Sequence, residues 1–170
     1  MTSLPRLAEL HFELTFSPTI ELISIVRRFV SSSCEQVLED REAASRLGLT
    51  THELLENARK YATDGETTIR VDVGSDRSRI QIRLANRAGP DHLAELTRRF
   101  REMDACADPF IYYQMKMVET MRRRGGSGLG LARLRAEADM TLSLNVEGDR
   151  VCLLADTYAL AAAAGEEARA

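Results

Sequence analysis

The sequence predicts an α/β fold, a two-layer sandwich in which a mixed, mostly antiparallel sheet is covered on one face by helices. Two observations predict it. Stretches that alternate apolar and polar residues lie at 10–16, 69–84 and 141–155, while most of the chain between them repeats with helical spacing. The resulting order is strand, two helices, hairpin, helical insert, helix, hairpin, and helices grouped apart from antiparallel strands pack as one layer upon another.

Leu10, Phe12, Leu14 and Phe16 alternate as one face of a strand. Ser17-Pro18 reads as a helix start, serine capping and proline at the first helical position. Ile20, Ile23, Val26, Phe29 and Val30 carry that helix to about Leu38. A second helix is expected over 42–63, with Gly48 a weak point and Asp64-Gly65 its terminator. Ile69, Val71, Val73 and Ile80, Ile82, Leu84 form a hairpin across residues 74–77, and 88–90 break it. Residues 91–105 and 109–124 are helical, joined at Ala107-Asp108-Pro109. After a glycine loop at 125–128 come a helix over 129–138 and a hairpin pairing 141–146 with 151–155. Residues 1–156 are expected to form one domain, and 157–170 a low-complexity tail.

The 170 residues suffice for one substantial core. A net charge of −3 gives no general attraction to nucleic acid or anionic lipid, so neither is an expected partner. Cys34, Cys106 and Cys152 are odd in number and widely spaced, which argues against a disulfide framework or a zinc site. No apolar run has the length of a membrane span, and the N-terminus lacks a signal-peptide pattern, so a cytoplasmic protein is expected.

Two segments could carry chemistry. On the helix through Thr51–Ala62, Glu53, Asn57 and Lys60 fall within a narrow arc, extended by Glu56, Arg59 and Thr63, while Leu54, Leu55 and Ala58 occupy the other side. A carboxylate there can take a proton, an amide oxygen one turn later can ligate a hard cation, and a lysine can approach phosphate. The same pattern also describes a solvated helix face. The second segment is Arg124-Gly125-Gly126-Ser127-Gly128-Leu129-Gly130-Leu131. Glycines at a helix mouth let backbone amides approach an anion, aided by the helix dipole; a plain flexible turn is the alternative. The loop fits neither the dinucleotide fingerprint nor the Walker pattern. Arg122, Arg123 and Arg124 precede it, suited to phosphate, to an acidic partner, or simply to a helix C-terminus.

Together the two segments resemble the GHKL superfamily of gyrase-type topoisomerases, histidine kinases, ninety-kilodalton heat-shock chaperones and MutL proteins. His52-Glu53-Leu54-Leu55-Glu56-Asn57-Ala58 resembles its N box, and Gly125 to Leu131 its second glycine box, in the family's order. The resemblance implies Mg²⁺ and ATP as cofactors, with Glu53 as general base, Asn57 as magnesium ligand and Lys60 facing nucleotide. It also assigns Gly126, Ser127, Gly128, Leu129, Gly130 and Leu131 to the lid hinge and the phosphate-binding amides. The family's adenine-binding Asp-x-Gly-x-Gly is replaced by Asn86-Arg87-Ala88-Gly89-Pro90, where Asn86 keeps a carbonyl acceptor without charge.

Size brings the chain nearest to stand-alone anti-sigma-factor serine kinases and SiaB-type kinases, which implies a STAS or STAS-like protein, or a sigma factor, as partner. Two other functions share the resemblance: a kinase-like module that sequesters a partner with little or no catalysis, and a detached histidine-kinase catalytic domain. The insert over 91–124 carries Met103, Tyr112, Tyr113, Met115, Met117 and Met121. These residues either pack the lid helix on its own domain or, if exposed, form a partner or homodimer surface.

Overall fold

The computed structural model describes residues 10–74, 79–122 and 128–158. Strand β1 (Leu10–Phe16) leads into α1 (Ile20–Leu38) and α2 (Arg41–Tyr61), followed by strands β2 (Ala62–Val73) and β3 (Arg79–Ala88). Helices α3 (Pro90–Ala105), α4 (Pro109–Arg122) and α5 (Leu129–Glu137) come next, and strands β4 (Thr141–Glu147) and β5 (Arg150–Tyr158) close the chain's described part.

The strands form one open sheet in the order β1-β2-β3-β5-β4, and all four pairings are antiparallel. The expected mixed character is therefore absent among the described strands. Alternation along β2, β3 and β5 sends Ile69, Val71, Val73, Ile80, Ile82, Leu84, Leu153 and Ala155 into the core. Burying each large aliphatic side chain contributes about 1.5–3 kcal/mol. The opposite face is polar: His11 Nδ1 lies 2.6 Å from Asp72 Oδ1, Arg70 Nε donates to Asp72 at 2.8 Å, and Gln81 Nε2 donates to Asp156 at 2.8 Å.

Three expected boundaries move. Helix α1 is capped by Thr19, whose Oγ1 accepts from the Leu22 amide at 3.2 Å, so Ser17-Pro18 is the extended lead-in and not the helix start. Helix α2 ends at Tyr61 and passes directly into β2 at Ala62, which pairs with Ala88. Asp64-Gly65 therefore lies inside β2, at a register shift where Gly65 takes φ +72°, a conformation glycine adopts without strain. Strand β5 also outruns the proposed tail boundary: Thr157 is buried and its hydroxyl donates to Asp139 O at 3.1 Å. Residues 159–170 lie outside the described residues.

Gly48 is a contact point and not a weakness. A Cβ there would sit 3.3 Å from Ser31 Cβ of α1, so the glycine lets the two helices approach closely. Ser31 Oγ, facing it, donates to Ala44 O at 3.2 Å. This seam buries Ile23, Val26, Val30, Ala44 and Leu47, and it holds α2 in place with Leu54, Leu55 and Ala58 against the core. The polar face of α2 is thereby turned toward α5.

Candidate functional site

The last two turns of α2 and the first turn of α5 face each other across a cleft of about 290 Å³. Glu53, Glu56, Asn57 and Lys60 form one wall, one or two helical turns apart on the same face. Gly128, Leu129, Gly130 and Leu131 form the opposite wall. The cap residue of α5 is Gly128, which has no side chain to satisfy the first-turn amides. A helix start of this kind suits an anion, because both the amides and the dipole point toward it.

Glycine at 130 leaves room for Glu53: an added Cβ would fall on the Glu53 carboxylate, which would have to turn aside. That close approach fixes Glu53 at the mouth of α5. Its other neighbour is Arg133, whose Nη1 lies 3.6 Å from Glu53 Oε1 and whose Nε donates to Glu137 Oε2 at 2.6 Å. Glu56 is turned along its own helix, accepting from Arg59 at 3.1 Å and lying 3.9 Å from Lys60 Nζ. The Arg59 hydrogen bond holds the Glu56 carboxyl below its ordinary pKa.

Three lining residues come from outside the two recognised segments: Arg99 of α3, Tyr113 of α4 and Arg133 of α5. Arg99 lays its guanidinium against Gly128, close enough that a Cβ there would lie 2.9 Å from Nη1. Its Nε also donates to Glu95 at 2.7 Å, and Glu95, bonded by both Arg98 and Arg99, has its pKa pulled down to about 2. Burial raises the Tyr113 pKa, and the neighbouring Glu137 carboxylate adds to the rise. None of the three carried a sequence signal for this cleft: Tyr113 reads only as part of the methionine-rich insert, Arg99 is one arginine of the run Arg98-Arg99, and helix docking alone brings them to the cleft.

The predicted residues do not all meet here. Glu53, Asn57, Lys60, Gly128, Leu129, Gly130 and Leu131 line the cleft; Gly126 and Ser127, with Arg123, Arg124 and Gly125, lie outside the described residues. Asn86 lines a separate, smaller hollow with Asp64, Glu66, Thr68, Arg87 and Arg150, and its Nδ2 donates to Arg87 O at 3.0 Å. The methionine-rich insert divides: Met103 and Tyr112 are buried, whereas Met115 and Met121 are exposed. At the root of the insert, Tyr61 stacks on His92, ring centroids 3.8 Å apart, tying the end of α2 to the start of α3.

Chemically, the cleft sets three cations, Lys60, Arg99 and Arg133, and a helix N-terminus around two carboxylates and one carboxamide. This donor set fits a phosphorylated ligand with an accompanying hard cation: the positive groups match phosphate oxygens, and Asn57 offers an uncharged oxygen. Among the described residues, no three His, Cys, Asp or Glu side chains gather as a metal site. No described helix is long and apolar enough to cross a membrane.

The architecture is shared with a solved structure. The fold is similar to that of a chain in "The crystal structure of SiaB-SiaC complex from Pseudomonas aeruginosa", with a TM-score of 0.64 and 18% identity over 89% of this chain and 91% of that one. No protein-family model matches the chain, and no curated protein matches it.

Proposed function

We propose that the chain is a cytoplasmic, ATP-binding regulatory kinase that phosphorylates a serine or threonine of a small STAS-like protein in bacterial signalling. The observation that carries this reading is the convergence of Glu53, Asn57 and Lys60 with the Gly128–Leu131 helix start on one cleft. The fold's likeness to a chain from a protein–protein complex supports a protein as the acceptor. Partner switching then describes its biological role.

Bound Mg-ATP would supply the phosphoryl group. Asn57 would hold Mg²⁺ through its side-chain oxygen. Lys60, Arg99, Arg133 and the α5 amides would orient the phosphates and balance their charge. Glu53, kept at the mouth of α5 by Gly130 and Arg133, would accept the proton of the partner's hydroxyl. The test is transfer of labelled phosphate to a STAS-like protein. Glu53→Ala is expected to lower transfer by about 10²-fold or more while nucleotide affinity stays within about threefold. Unchanged transfer would remove Glu53 from this role. Acid-stable phosphate on the acceptor supports serine or threonine; acid-labile phosphate points instead to histidine.

A second reading, a partner-sequestering module with weak catalysis, is favoured by one observation. Asn86 spends its amide on its own chain and lines a different hollow from Glu53 and Asn57. That reading predicts partner capture undiminished in Asn57→Ala.

A further inference from the structure

Glu137, the last residue of α5, does not line the cleft, yet its carboxylate meets residues that do. Arg133, one turn earlier on the same face, donates from Nε to Glu137 Oε2 at 2.6 Å. Tyr113 of α4 lies against the same carboxylate. Arg133 reaches the other way as well, its Nη1 standing 3.6 Å from Glu53 Oε1. That separation attracts a carboxylate but is too long for a hydrogen bond. The Glu137 hydrogen bond is also what chiefly holds Arg133 above the ordinary arginine pKa, with Glu53 a weaker influence.

Helix stability does not account for Glu137. A carboxylate at the end of a helix faces the negative pole of its dipole. The pair also runs arginine first and glutamate four residues later, the weaker orientation on a helix. Two carboxylates thus compete for Arg133, and the one it bonds sits where the helix least favours it.

We propose that Glu137 is a positioning residue that holds Arg133 off Glu53, leaving the Glu53 oxygens free to take a proton from the incoming hydroxyl. With Glu137 removed, Arg133 turns onto Glu53 and closes a charge-assisted hydrogen bond, which occupies the oxygens the chemistry needs. Tyr113 steadies Glu137 from α4, so three helices, α2, α4 and α5, set one carboxylate. The inference rests on Glu53 acting as the base of the proposed kinase.

Glu137→Ala in the full chain tests it by transfer of labelled phosphate. The rate at saturating substrate should fall about tenfold while the KM for nucleotide stays within about threefold. The melting temperature should stay within about 2 °C of wild type, a combination that a merely structural role would not give. Glu137→Gln keeps an oxygen for Arg133 Nε and should transfer within about threefold of wild type. In an Arg133→Met background, adding Glu137→Ala should change the rate by less than about twofold, because no guanidinium remains to be restrained. A crystal structure of Glu137→Ala gives a reading independent of activity: Arg133 should approach Glu53 to about 2.9 Å. The proposal is overturned by an Arg133 that stays 3.6 Å or more from Glu53 in that structure, or by a Glu137→Ala rate within about twofold of wild type. A tenfold fall that persists in the Arg133→Met background, or melting lowered by about 5 °C or more, overturns it equally. A wild type that transfers no phosphate would overturn the kinase reading instead, and the Arg133–Glu53 separation would then decide the restraint alone.

Discussion

Gly130→Ala separates stability from site geometry. The new methyl group would fall on the Glu53 carboxylate, which is the far end of a flexible side chain and not backbone. Glu53 can therefore turn away, breaking its 3.6 Å approach to Arg133. That partly exposed pair contributes about 0.2–1 kcal/mol. Against this, alanine in place of glycine near the start of α5 gains up to about 1 kcal/mol of helix propensity. The two effects nearly cancel, so the melting temperature should stay within about 4 °C of wild type. Phosphate transfer should nevertheless fall by about tenfold or more, because the carboxylate is no longer held at the helix mouth. Calorimetric melting and the transfer assay on the same preparation provide the two readings. A melting temperature lowered by about 10 °C or more would show that the methyl group forces α5 away from α2. Wild-type transfer at unchanged stability would show that Glu53's position against Gly130 is irrelevant to chemistry.

Two further outcomes follow from the surrounding structure. Hydrogen bonds from Arg98 and Arg99 hold Glu95 at about 2, below its ordinary 4.5. A depressed carboxylate pKa stabilises the fold above the unfolded value and loses that contribution as pH falls through the folded one. Wild type should therefore melt about one or two degrees above Glu95→Gln at pH 6, with the gap closing between pH 4.5 and 2; a gap that stays constant over this window would contradict it. Leu55, fully buried under the site helix, should cost about 2–5 kcal/mol on change to alanine, lowering the melting temperature by roughly 5–15 °C. A shift under about 2 °C would show that α2 is not anchored through this residue.

The sheet was legible because period-two alternation reports directly which strand face is buried: Ile69, Val71 and Val73, then Ile80, Ile82 and Leu84, all lie in the core. The polar arc of α2 was equally legible, since helical geometry places Glu53, Asn57 and Lys60 together without tertiary information. Helix ends were harder. Ser17-Pro18 reads as a capped start, yet it is Thr19, two residues later, whose hydroxyl takes the Leu22 amide and caps the helix. Asp64-Gly65 resembles a helix stop, yet pairing of Ala62 with Ala88 takes the chain into a strand before it is reached. Arg99, Tyr113 and Arg133 were invisible as site residues because three separate helices must dock before they share a cleft. Asn86 shows the converse: its place at the end of an alternating strand was readable, but its hollow and the Arg87 carbonyl it bonds were not.

The central claim is that the cleft between α2 and α5 holds Mg-ATP. Isothermal titration of the purified chain with a non-hydrolysable ATP analogue, with and without Mg²⁺ and beside Asn57→Ala, tests it most directly. The account predicts saturable binding that requires Mg²⁺ and is lost in Asn57→Ala. No binding up to about 1 mM, or binding indifferent to both the metal and Asn57, would contradict it.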